Sequence, residues 1–151
     1  MRKLSLLAII LVLSVNLHAQ TTKDSVVAVI NSFFAGMKNA DTVQLKSTLS
    51  AKVDFRTIVP DGKGNASKVI EEKVEDFVSS IPKYPKGSLD ERIEFETIQI
   101  DQMLALVWTP YKFYFNNQFS HCGVNCFQLV RFDSGWKIQS IIDTRRKTSC
   151  Q

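Results

Sequence analysis

The chain has 151 residues, 19 Lys and Arg against 15 Asp and Glu, a formal charge of +4 and 44% hydrophobic residues. One core commonly serves a chain of this length, which leaves no room for a multidomain enzyme. An aromatic content of 10% argues against disorder, the lack of a repeat period excludes collagen, solenoid and coiled coil, and so mild a charge without a basic stripe gives no case for nucleic acid.

The chain opens on Arg2 and Lys3, continues through an almost wholly apolar stretch from Leu4 to Val15, and reaches Asn16-Leu17-His18-Ala19-Gln20. That basic, apolar, small-residue order predicts a secretory signal over residues 1–19 with cleavage after Ala19. The apolar stretch of about 12 residues falls short of the roughly 20 that cross a bilayer, so no stable membrane span is expected after cleavage. Arg2 and Lys3 leave with the signal and no acid does, so the remaining domain, residues 20–151, is closer to neutral. A periplasmic or extracellular location follows, and Cys122, Cys126 and Cys150 meet an oxidising compartment there.

Val26, Val27, Val29, Ile30, Phe33, Phe34 and Met37 recur at helical spacing after Asp24, read as a cap. Asp41 caps a second predicted helix, Thr42 to Leu49. Val53 to Val59 alternates like a strand, and Pro60-Asp61-Gly62-Lys63-Gly64-Asn65 is turn chemistry. A third helix is predicted from about Lys68 to Ser80, followed by a loop punctuated by Pro82, Pro85 and Gly87. Four strands follow: Arg92 to Ile100, Met103 to Phe115, Phe119 to Phe132, and Trp136 to Thr144. Asn116-Asn117 suits a two-residue hairpin turn, because Asn tolerates positive φ, and Asp133-Ser134-Gly135 suits a turn closed by a glycine bulge. Helices first and a sheet afterwards predict an α+β fold, with three N-terminal helices packed on one face of a strongly curved, mostly antiparallel sheet.

This order and length resemble the cone-shaped fold of the nuclear transport factor 2-like superfamily, which includes SnoaL-like and ketosteroid-isomerase-like proteins. The resemblance spans about residues 24–146. Gly135-Trp136-Lys137-Ile138 through Asp143-Thr144-Arg145-Arg146 is similar to the last strand of many secreted bacterial members, as is Val107-Trp108-Thr109-Pro110-Tyr111 followed by His121-Cys122-Gly123. The resemblance implies a single domain over 20–151 with a ligand at the open end of the cone. The superfamily hosts enzymes, binders and oligomerisation modules alike, so the fold does not name the activity.

The turns set the expected registers. If Phe115 faces Gln118, then Trp108 lies opposite Asn125, Lys112 opposite His121, and Tyr114 opposite Phe119. If Phe132 faces Trp136, Asn125 lies opposite Asp143 and Gly123 opposite Arg145. Alternation then gathers Trp108, Lys112, Tyr114, His121, Asn125, Phe127, Asp143 and Arg145 on one face. Thr109, Tyr111, Cys122, Val124 and Cys126 fall on the other. Aromatic walls with a few convergent polar groups form the composition of a small-molecule pocket, so Trp108, Tyr114, His121, Asn125, Asp143 and Arg145 are the candidate ligand-binding residues. His121 and Asp143 are the candidates for acid–base work. The bland alternatives stand beside these: Trp108 as plain core, Asp143 with Arg145 as a structural ion pair, and His121 as a hydrogen-bonded structural residue.

His121, Cys122, Cys126 and Cys150 invite a metal reading that geometry opposes. Neighbours in a strand point to opposite faces, and Cys122 and Cys126 lie about 13 Å apart at the strand rise. No metal and no cofactor is expected. Cys122 falls opposite residue 146, four before Cys150, so the sequence predicts a Cys122–Cys150 disulfide with Cys126 a buried free thiol. Three readings remain open: a binder of a small apolar or amphipathic ligand with Arg145 pairing an anion, an isomerase or hydrolase using a carboxylate/His pair, and an interaction module. In the last, Tyr111, Phe113 and Phe115 form an apolar face for a homodimer through the sheet.

Overall fold

The computed structural model describes residues 22–62 and 67–150. The signal predicted over 1–19 and residues 63–65 of the turn predicted over 60–65 lie outside those residues. Helix α1 covers 22–38, so Asp24 sits inside it and is not its cap. Helix α2, Thr42–Ser47, is capped by Asp41, whose Oδ1 accepts from the Gln44 N–H at 2.9 Å. Strand β1, Leu49–Pro60, follows at once, which takes Leu49 out of the predicted helix.

The helix predicted from Lys68 to Ser80 is two elements: strand β2, Ser67–Glu72, and helix α3, Val74–Ser80. β2 pairs antiparallel with β1, Thr57 facing Ile70. Val69 and Ile70 are exposed on this edge strand, and their β-branched side chains suit the pairing better than a helix. The third helix therefore follows the first hairpin and is not N-terminal. A short 3₁₀ turn, Ile81–Lys83, completes the helical part.

The remaining strands are β3, Leu89–Ile93; β4, Thr97–Asp101; β5, Leu104–Phe115; β6, Gln118–Phe132; and β7, Gly135–Thr144. The sheet runs β2-β1-β7-β6-β5-β3, with β4 also on β5. Among the described strands only the β1–β7 pairing is parallel. The sheet is curled and unclosed. The single strand predicted from Arg92 to Ile100 is broken at Glu94–Glu96. There the register against β5 slips by one residue, between Ile93 opposite Tyr111 and Thr97 opposite Trp108. Pro110 faces the break, and a proline offers no N–H to a ladder.

Two more bulges decide the faces. Asn116 and Asn117 adopt φ of 51° and 63° and make the predicted hairpin turn. Phe115 opposite Gln118 and Tyr114 opposite Phe119 hold as expected, but Phe113 faces His121, so Ser120 is an extra residue. Every pair beyond it shifts by one: Lys112 lies opposite Cys122, Trp108 opposite Cys126, and Thr109 opposite Asn125. The second hairpin has a shorter loop than predicted, with Phe132 opposite Gly135. An extra residue at Gln139 restores the expected register, and Asn125 faces Asp143 as predicted.

Helix α1 packs on the inner face of the sheet. Its Val26, Ile30, Phe33, Phe34 and Met37 are buried with Phe55, Val107, Phe127, Leu129, Ile138 and Ile141. Phe127 is fully buried and takes the edges of Phe33 and Phe34 at ring separations of 6.4 and 5.9 Å. The last turn of α1 is tied to β3 by Lys38 Nζ, 2.8 Å from Asp90 Oδ1.

Beyond β7 the chain stays in the sheet for a further step. Cys122 and Arg146 exchange backbone hydrogen bonds of 2.9 Å in both directions. Cys122 and Cys150 form the predicted disulfide, Cα to Cα 5.8 Å. Cys126 is the free thiol, half-buried. Non-reducing peptide mapping is expected to return one Cys122–Cys150 crosslink with only Cys126 open to alkylation. Cys150→Ser is expected to cost about 3 kcal/mol in chemical unfolding, from the loop-closure entropy it releases.

Candidate functional site

The registers place residues in rows across the inner face. Phe55, Ile141, Phe127 and Val107 form one row over β1, β7, β6 and β5. One step further along lies a polar row: Thr57, Asp143, Asn125 and Thr109, all buried. Beyond that, Glu91, Phe113 and His121 line up over β3, β5 and β6. The rows meet beneath α1 at a cavity of about 80 Å³. Phe33, Phe34, Met37, Phe55, Phe77 and Phe127 form its apolar wall, and Glu91, Tyr111, His121, Asn125, Asp143 and Arg145 its polar one.

Asp143 is the centre of the polar wall. Thr57 Oγ1 donates to its Oδ1 at 2.5 Å, and Tyr111 OH and Arg145 Nε donate to its Oδ2 at 3.1 and 3.0 Å. Burial works against the charge of Arg145, but the Asp143 carboxylate outweighs it and holds the guanidinium protonated beyond its ordinary range. The Tyr111 hydroxyl also reaches the Thr144 carbonyl at 2.9 Å. Burial and the neighbouring carboxylates Asp143 and Glu91 push its ionisation far up, so it acts as a neutral donor. Gly123 makes this contact possible: a Cβ there would collide with the Thr144 carbonyl and lie 2.8 Å from the Tyr111 ring.

Glu91 is positioned from outside. Its neighbour Asp90 faces away and is held by Lys38 and by Arg92, whose Nε lies 3.0 Å from it. Inside, Asn125 Nδ2 donates to Glu91 Oε1 at 2.8 Å. Burial pushes Glu91 up to about 7; the Asn125 hydrogen bond opposes this and the Asp143 charge adds to it. Desolvation and the Arg145 charge lower His121, so its ring is neutral at ordinary pH. Its Nδ1 shares a hydrogen bond with Ser120 Oγ at 3.1 Å. Glu72, on the edge of the cavity, is raised by partial burial.

Of the sequence candidates, His121, Asn125, Asp143 and Arg145 share this cavity. Trp108 and Tyr114 do not. Alternation along β5 places them with Lys112 on the outer face, where Trp108 is 40% exposed, and Arg92 stacks over the Tyr114 ring at 4.1 Å. The Ser120 bulge is the cause, since one extra residue turns the rest of β6 over relative to β5. The same slip brings Tyr111 and Phe113 inward, which removes them from an external dimer face. Sequence reasoning missed Glu91, Tyr111 and Thr57. Glu91 had an available signal, an acid alternating with Leu89 and Ile93 in a strand. A larger, open groove of about 840 Å³ runs between α2, β1 and α3. The titratable side chains described along it are all at least partly exposed, so the chemistry gathers in the smaller cavity.

No family model matches the chain, and no curated protein sequence does. Its fold is similar to solved structures. An NTF2-like protein of unknown function from Shewanella baltica OS155 aligns with a TM-score of 0.66 at 15% identity, over 83% of this chain and 94% of that one. A domain with a cystatin-like fold from Nostoc punctiforme PCC 73102 gives 0.65 at 15% identity, over 85% and 80%. An NTF2-like protein with a cystatin-like fold from Novosphingobium aromaticivorans gives 0.63 at 10% identity, over 91% and 90%. At such identities the likeness establishes the fold alone.

The Glu91 shift has a consequence for stability. Its folded pKa lies above its ordinary carboxyl value, so its contribution is complete below about pH 4.5, declines as pH rises, and is gone above about 7. Glu91→Gln, which cannot ionise, is therefore expected to gain on the natural protein by about 3 kcal/mol between roughly pH 4 and pH 8. Urea unfolding of both proteins across that range checks this; a difference independent of pH would refute it.

Proposed function

We propose that this is an exported binding protein whose cavity takes a small apolar or amphipathic ligand. The observation that carries the reading is the meeting of an apolar row and a polar row at one void, with aromatic side chains on one side and Glu91, Asn125, His121 and Arg145 on the other. Ligand sites are built this way, mostly apolar with a few convergent polar groups. A void of about 80 Å³ takes a group of a few heavy atoms, so the ligand is small or inserts one end. The Cys122–Cys150 disulfide supports export, because such bonds persist in oxidising compartments. It agrees with a cleaved signal over 1–19 and a single domain over 20–151. A homodimer through the sheet would use the outer face around the exposed Trp108.

One observation favours a second reading, a SnoaL-like or ketosteroid-isomerase-like isomerase or hydrolase. A carboxyl held near pH 7 suits proton transfer at neutrality, and Glu91 is such a group. Asp143 already accepts from Thr57, Tyr111 and Arg145 on its two oxygens. In this reading Glu91 with His121 forms the carboxylate/His pair, and Asp143 orients Tyr111.

Native mass spectrometry of the purified protein is expected to show a small retained mass that denaturation releases. Asp143→Asn, which disturbs the Tyr111 and Arg145 contacts, is expected to weaken retention at least about tenfold, equivalent to one charged hydrogen bond. His121→Ala tests the opposite edge of the cavity. Absence of any retained mass together with indifference to both substitutions would sink the binding reading.

A further inference from the structure

We propose that the ligand is a small primary amine, bound as its ammonium against Glu91. The proposal rests on the binding reading above and names the chemical class that the cavity selects.

The cations around the cavity are already matched. Arg145 is committed to Asp143 at 3.0 Å. Arg56 pairs with Asp54 at 2.9 Å and lies 3.8 Å from Glu71. Lys38 at the end of α1 and Arg92 on β3 both hold Asp90. Glu91 is left with a single amide donor, Asn125 Nδ2, on Oε1. No donor among the described residues reaches its second oxygen. Asp143 has the opposite character, with donors on both oxygens.

A carboxylate facing an apolar void favours an occupant that supplies donors and positive charge. An ammonium brings three donors and no acceptor. Five phenylalanines line the same cavity, Phe33, Phe34, Phe55, Phe77 and Phe127, and a cation gains from the faces of aromatic rings. An anion would instead meet the carboxylates Asp143, Glu72 and Glu91, against Arg145, bonded through its Nε to Asp143, and Arg56, paired with Asp54. An alcohol offers one donor and no charge. The void of about 80 Å³ takes about three heavy atoms, at roughly the 30 Å³ that one water molecule occupies in the liquid, so a slightly larger amine enters it by its ammonium end.

Binding is linked to protons. The polar groups lining the cavity with Glu91 are Arg56 and Thr57 on β1, Glu72 on β2, Tyr111 on β5, Asn125 and His121 on β6, and Asp143 and Arg145 at the end of β7. Tyr111 and Arg145 stay protonated through neutrality, and His121 titrates below its ordinary value. Glu91 is therefore the group that changes charge near pH 7. An amine arrives charged, so Glu91 must release its proton to pair with it, and affinity rises with pH.

Calorimetric titration of the disulfide-intact protein with isobutylamine, isobutanol and isobutyrate tests this. Isobutylamine is expected to bind at least about tenfold more tightly than isobutanol. Its affinity is expected to rise about tenfold from roughly pH 6 to pH 8, with proton release seen as a dependence on buffer ionisation heat. Glu91→Gln should abolish the amine preference and the proton release while isobutanol still binds. Glu91→Asp, which keeps the charge, should retain the preference at lower affinity and guards against a folding defect in the first variant. Equal binding of amine and alcohol, an affinity that falls with pH, or an amine preference that survives Glu91→Gln overturns the proposal. Isobutyrate as the best ligand overturns it too, yet leaves the binding reading standing. Failure of all three probes together with no retained mass in native spectra removes both.

Discussion

A carboxylate buried inside a sheet is costly unless donors surround it, and Asp143 is the point at which this fold meets that cost. Its three donors come from different parts of the chain: Thr57 on β1, Tyr111 on β5, and Arg145 just past β7. For all three to reach it, β1 lies beside β7 in parallel, Tyr111 faces inward from β5, and the chain past Thr144 runs on beside β6. Gly123 lacks a Cβ where one would collide with the Thr144 carbonyl. Much of the arrangement around the cavity follows from supplying this one carboxylate with donors.

The contrast with Glu91 gives the cavity its character. The two acids share a void and share Asn125 as a neighbour, through strand pairing in one case and a side-chain hydrogen bond in the other. Asp143 has a cation and two hydroxyls; Glu91 has one amide. The first is structural in its bonding, and the second remains chemically available. Asp90, one residue away on β3, shows how alternation produces this difference. It points outward, where Lys38 and Arg92 pair with it. Glu91 points inward, where no cation is left unmatched.

The tail is held to the same region by independent means. The paired backbone hydrogen bonds between Cys122 and Arg146 and the Cys122–Cys150 disulfide fasten it to β6, next to His121. The Arg145 N–H also reaches the Ile58 carbonyl at 3.1 Å. Arg145 is therefore clamped by backbone on the β1 side and by carboxylate on the inner face.

The sequence alone determined whatever depends on neighbours along the chain or on simple alternation. The amphipathic α1, the Asp41 cap, the Asn116-Asn117 turn, the long strands, Asn125 opposite Asp143, and the Cys122–Cys150 pairing were all legible there. Where local and tertiary preferences competed, local pattern misled: Lys68 to Glu72 reads as helix until β1 offers an edge to pair with. Only the tertiary structure decided which face each side chain takes. A strand has a period of two, so the single extra residue at Ser120 sends Trp108 and Tyr114 outward while His121 and Asn125 turn in with Tyr111. Nothing in the residues around Ser120 announces that bulge, because its benefit lies in the curl it gives the sheet around the buried carboxylate and the helix above it.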